Sequence, residues 1–194
     1  FADFIHQFTK SNMSTLVSTD SPKLFVTTYH AYNCGKQFER GQWLDLTDYP
    51  DHESFVEACR ELYDNESDPE FMVTDFEGFP RHWYGESGLP NESKFDCIKG
   101  YAELTDKEAF DAYMDVFGYS QGYTDWDDFK SDFEDRFVGE FKSDTDFAAE
   151  IVEMDGHLDQ APEYLRNYFD YDAFARDLLC GDYCAHDGFY FRNC

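Results

Sequence analysis

Forty-two Asp and Glu stand against fifteen Lys and Arg, a formal net charge of -27 that any fold of this chain must keep in water. Ionised carboxylates are almost never buried without a partner, and the cations are too few to supply one each. The apolar side of the chain must therefore be effective, and it is built on rings: thirty-eight Phe, Tyr and Trp against twenty-one Ile, Leu and Val. Leu, Ile, Val and Phe make up 42 of 194 residues, just above the level of about 20 % below which high charge signals disorder. Each ring buries roughly 150–250 Å², so a ring-based core offsets the self-repulsion and the chain reads as folded.

The same charge excludes two classes of partner. Nucleic acid and anionic membranes both require a basic footprint, and no apolar run approaches the ~18 residues of a membrane span. No charged n-region followed by an apolar h-region opens the chain, so no secretory signal is visible. Cysteines 34, 59, 97, 180, 184 and 194 are scattered, which favours reduced thiols in a cytosol over a disulfide framework.

Residues 1–21 carry little charge, with Ser, Thr and Asn crowding 9–21, and form a leader in which FADFIHQFTKSN reads as an upstream extension ahead of a natural start at Met13. From Pro22 the pattern predicts strands at 24–30 and 41–46 joined by a loop holding Asn33 and Gly35, a helix over 52–64, and a strand over 71–78. A helix around Phe95, Ile98 and Tyr101 follows, weakened by Gly100. Thr105 with Glu108 reads as a capping box for the next helix, which Gly118 stops, and Thr124 as the cap of a helix over 124–133. A strand at 136–141, a helix from Ser143 to Met154, Pro162 at the first turn of EYLRNYF and Asp170 capping YDAFARDLLC come next. Short strands at 182–186 and 189–192 around Asp187-Gly188 form a hairpin. The result is an α+β chain of three small units, 22–88 (sheet and helix), 89–134 (helical) and 135–194 (sheet and helices), with net charges of -9, -8 and -9. Acidic tails concentrate their charge in one block, whereas here every unit carries it.

No catalytic constellation emerges. GYSQG at 118–122 has the G-x-S-x-G form, but a capped helix precedes Ser120 where a nucleophile elbow needs a buried strand. Asp125, Asp127 and Asp128 suggest a calcium loop until Lys130 and Arg136 fall where Gly and a bidentate Glu are required. The six His form no metal-binding spacing, and no phosphate-binding glycine loop is present. No cofactor or metal is expected. The charge itself remains. It reads as ordinary solvated faces, as adaptation to high salt, or as carboxylates that imitate phosphates; duplex DNA carries one charge per about 1.7 Å, so 27 charges match roughly 45 Å of it.

The segments PKLFVTTYHAYNCG, GQWLDLTDY and FVEACRELYDNESDPEFMVTDFEGFP resemble the opening of the ArdA-type antirestriction proteins, and EYLRNYFDYDAFARDL resembles that family's antirestriction motif region. The resemblance covers about 22–192. It implies a non-enzymatic DNA mimic, carried by a plasmid, phage or transposon, that works in the cytoplasm of a bacterial host. Such a protein occupies the DNA-binding channel of type I restriction-modification enzymes, through their methyltransferase core. It also implies three units in a curved, elongated arrangement and a homodimer formed by the C-terminal unit.

On that basis Glu57, Glu61, Asp64, Asp68, Asp111, Asp115, Asp125, Asp128, Asp132, Glu150 and Glu153 are candidate phosphate mimics. Glu163, Tyr164, Leu165, Tyr168, Asp170, Tyr171, Asp172, Phe174, Ala175, Arg176 and Asp177 form the motif region. Tyr164, Tyr168, Tyr171, Phe174 and Leu178 are the expected dimer contacts. The alternative is an acidic interaction module for some other basic, DNA-binding partner.

Overall fold

The computed structural model describes residues 21–118 and 123–193; residues 1–20 of the leader, Ser120 with its neighbours in GYSQG, and Cys194 lie outside them. In Lys23–Thr28 alternation turns Leu24 and Val26 inward and leaves Phe25 half-exposed, and this segment is β1. Thr28 ends the strand by capping a helix, its Oγ1 accepting from Ala31 N at 3.1 Å. The segment expected as an open loop is thus two short helices, α1 (Tyr29–Asn33) and α2 (Gln37–Arg40), hinged at Gly35 with φ +68°. β2 (Gln42–Asp45) returns antiparallel to β1 with Leu24 opposite Leu44, and α3 (His52–Leu62) buries Phe55 and Cys59. β3 (Phe71–Glu77) pairs with the other edge of β1, giving the order β2-β1-β3.

Three helices follow: α4 (Glu92–Ala102), α5 (Lys107–Phe117) and α6 (Trp126–Arg136). The capping box of α5 does not form. The helix starts after Asp106, which makes no side-chain cap bond, so Glu108 falls at its second position rather than its third. In α6 the cap is Asp125, whose Oδ1 accepts from Asp128 N at 3.1 Å, not Thr124. α6 also runs through Arg136, taking the first residue of the expected strand.

β4 (Phe137–Glu140), α7 (Asp144–Met154), α8 (Glu163–Arg166), α9 (Tyr171–Leu179), β5 (Tyr183–His186) and β6 (Phe189–Arg192) complete the chain. Pro162 stands at the cap of α8 rather than inside it, and this helix is one turn long. The second sheet is antiparallel, in the order β4-β6-β5. Its hairpin turns on Asp187 and Gly188, both left-handed at φ +49° and +85°, as a type I′ turn demands. Wholly antiparallel sheets with segregated helices make the fold α+β.

The core is aromatic. Phe55 of α3 stacks on Phe95 of α4 with ring centroids 5.5 Å apart, and Trp83 sits among Tyr101, Phe110, Trp126 and Phe129. This main cluster runs from Leu24 to Phe191. A smaller cluster holds Phe147, Ile151 and Tyr190, with Phe147 stacked on Tyr190 at 4.5 Å. Adjacent residues of β6 thus point into different clusters: Phe191 toward α5 and α6, Tyr190 toward α7 and α9.

Candidate interaction surface

Of the forty Asp and Glu among the described residues, thirty-six are exposed, Asp45, Glu66, Asp132 and Glu150 are half-buried, and none is buried. Helical spacing arranges them in rows. Glu53, Glu57 and Glu61 recur every four residues on α3, about 6 Å apart at 1.5 Å per residue. Asp64 and Asp68 continue beyond its end, and Asp111 and Asp115 form a shorter row on α5. Asp128 lies in the exposed first turn of α6, and Glu150 and Glu153 lie on α7. Like charges four apart on a helix oppose folding by roughly 0.2–0.5 kcal/mol per pair, so these rows do not serve stability.

Few of them are neutralised. Arg40 meets Glu66 at 3.3 Å, Arg136 meets Asp132 at 2.8 Å and Lys130 reaches Glu134 at 4.0 Å. Other cations are spent elsewhere. Lys99 donates to the Tyr49 and Pro50 carbonyls, Arg166 to those of Asp159 and Ala161, and Lys107 lies over the Tyr101 ring.

Two candidate carboxylates have internal work. Asp132 accepts from Tyr113 OH at 2.7 Å, Tyr123 OH at 3.3 Å and Arg136 Nε at 2.8 Å, which makes it a strut between helices. Asp111 is an exposed residue whose carboxyl accepts from Tyr101 OH at 2.9 and 3.0 Å. Loss of water at that carboxyl raises its pKa, against the lowering effect of the Tyr101 hydrogen bond.

In the motif region Glu163, Tyr164, Leu165 and Tyr168 are exposed, with Tyr168 83 % so. Asp170 caps α9 by accepting from Ala173 N at 2.9 Å, and Asp172 accepts from Thr145 Oγ1 at 2.5 Å. Tyr171 and Phe174 are half-buried against Phe169, Ala175 is buried, and Arg176 and Asp177 face water. Leu178 and Phe174 pack on the smaller cluster. The expected dimer contacts therefore divide into the exposed Tyr164 and Tyr168 and three residues already partly covered within the chain.

An aromatic face also occurs that no motif announced. Phe25 of β1 stands opposite Trp43 of β2, and its ring also meets Phe38 of α2. Its only signal in the sequence is that Phe25 and Trp43 fall on the outward phase of their strands.

Cys34, Cys59, Cys97, Cys180 and Cys184 are free thiols, and burial pushes Cys59 and Cys97 up to about 12, where they stay protonated. Among the described residues no group of three or more His, Cys, Asp or Glu is placed to hold a metal ion. No described helix is long and apolar enough to cross a membrane.

The chain is an acidic α+β protein that turns nearly every described carboxylate outward and leaves most of them without a cation. Residues 24–191 match the family model described as antirestriction protein (ArdA), and the chain belongs to that family. Its members are inhibitors of type I restriction-modification enzymes and not enzymes themselves. Comparison with curated proteins returned no match.

Proposed function

We propose that this protein imitates the phosphate charge of B-form DNA and occupies the DNA-binding channel of type I restriction-modification enzymes, so that incoming mobile DNA escapes cleavage. The observation that carries the proposal is the set of thirty-six exposed carboxylates, kept charged at a cost to folding and left largely unpaired. A surface of that kind repels DNA and attracts the basic groove that DNA would fill. Exposed ion pairs are worth about 0–1 kcal/mol each, so affinity comes from many contacts rather than a hot spot.

The proposed contact set is Glu57, Glu61, Asp64, Asp68, Asp115, Asp125, Asp128, Glu150 and Glu153, without Asp111 and Asp132, whose carboxylates bond Tyr101 and Tyr113. The proposal extends to three units, 22–88, 89–134 and 135–194, in an elongated arrangement, and to a homodimer through Tyr164 and Tyr168. The exposure of both rings, at 68 % and 83 %, supports an interface there. A dimer by sedimentation at micromolar concentration, lost in Tyr164→Ser/Tyr168→Ser, is the expected result.

The deciding experiment is competition: the purified protein should displace duplex DNA from a type I methyltransferase core. DNA that stays bound at saturating protein would refute the mimic and leave an acidic module for some other basic partner.

A further inference from the structure

We propose that the outer face of the first sheet is a docking site for an arginine side chain on a partner protein, an aromatic anchor set within the acidic surface. The proposal rests on the function above for the identity of that partner, and on local geometry for the chemistry.

Phe25 holds the middle of the face, in register with Trp43 on one side and Asp75 on the other. Its ring meets Trp43 edge-on at 5.5 Å and Phe38 at 6.2 Å, and Phe38 is 81 % exposed. Gly41 makes room: a Cβ there would lie 2.4 Å from the Phe25 ring, so no larger residue lets the ring settle. These side chains border a groove of about 300 Å³ that no Lys or Arg lines. A carboxylate completes it: the exposed Asp75 accepts from Phe76 N at Oδ1, and its Oδ2 stays available. Gln37 also lines the groove, its Oε1 buried without a hydrogen-bond partner in the free protein.

Ring faces together with unspent acceptors suit a cation that carries several N–H donors. Guanidinium is planar and weakly hydrated, stacks on rings and donates in a fork, whereas ammonium is compact and holds its water. An apolar segment would cover the Asp75 carboxylate and leave it without a partner. A second copy seated on this face would bring Asp75 against its like. An arginine resolves both.

The test uses the full ¹⁵N-labelled chain titrated with acetyl-Gly-Arg-Gly-amide and its citrulline counterpart, at about 0.05 and about 0.5 M salt. The arginine peptide should shift the Trp43 indole and the Phe38 and Asp75 amides saturably at both salts, and the citrulline peptide about tenfold more weakly. Phe38→Ala should cut the arginine affinity about fivefold with an unchanged circular dichroism spectrum, and Asp75→Asn should act alike. Shifts spread over α3, α6 and α7 that vanish at the higher salt would overturn the site. Equal binding of citrulline, or a change of sedimentation in Phe38→Ala, would do the same. Failure of the wild type to displace DNA from a methyltransferase core would overturn the function above and leave the peptide result to decide the site.

Discussion

Arg136 Nε donates to Asp132 Oδ2 at 2.8 Å across one turn of α6, with both side chains almost out of water at 7 % and 13 % exposure. The pair ties three elements together, because Asp132 also accepts from Tyr113 of α5 and Arg136 Nη1 donates to the Arg192 carbonyl of β6 at 3.1 Å. Asp132→Ala leaves a buried guanidinium without its carboxylate, and a loss of about 3 kcal/mol in urea unfolding is expected. Asp128→Ala, one turn earlier and exposed, should leave the urea midpoint in place.

Gly100 should be intolerant of alanine despite its position inside a helix. Alanine is worth about 1 kcal/mol more than glycine there by propensity alone. A Cβ at Gly100 would, however, lie 2.3–2.4 Å from the Trp126 indole, a rigid ring held among Trp83 and Phe110. Overpacking costs about 1–3 kcal/mol and exceeds the gain. Gly100→Ala should lower the thermal midpoint, with altered Trp fluorescence as the sign that Trp126 has moved.

Stability should depend on acid in two opposite ways. The folded pKa of Asp111 is raised above 3.8 by desolvation, so the native state holds a proton that the unfolded chain releases. Its contribution is full below 3.8 and lost as pH rises through the folded value. Asp51 is lowered by hydrogen bonds from Ser54, and its contribution is present above 3.8 and lost as pH falls through the depressed value. Asp111→Asn should therefore raise the thermal midpoint at neutral pH and lose that gain near pH 3.5. Asp51→Ala should lower the midpoint at neutral pH and match the wild type in strong acid.

Salt should part function from folding. The Debye length falls from about 10 Å at 0.1 M to about 3 Å at 1 M, so affinity for a methyltransferase core should decline steeply between about 0.05 and about 0.5 M. Across the same range circular dichroism should persist, since aromatic burial holds the fold and screening relieves the repulsion among Glu53, Glu57 and Glu61. Flat affinity, or a chain that unfolds at the low end, would count against the mimic. Asp128→Asn alone should weaken inhibition only slightly, while Glu57→Gln, Glu61→Gln and Asp128→Asn together should weaken it several-fold.

Local pattern in the sequence determined most of the elements and the sign of the surface. Alternation in LFVTT and QWLD, the helical period from Phe55 to Leu62, and Asp187-Gly188 as a hairpin turn each act within a few residues and appear where the pattern places them. The outward carboxylates follow from desolvation alone, since no buried partners exist for so many. Tertiary structure decided which of these similar residues differ. Asp128 and Asp132 look alike along the chain, yet only Asp132 is drawn in, by Tyr113 nineteen residues away and by an arginine that bonds a carbonyl fifty-six residues on. Gly100 reads as a weak point in a helix until Trp126 lies across it, and Phe25 and Trp43 become one face only when β1 and β2 pair. Propensity and period are properties of neighbouring residues; loss of water and close packing belong to whatever the fold brings alongside.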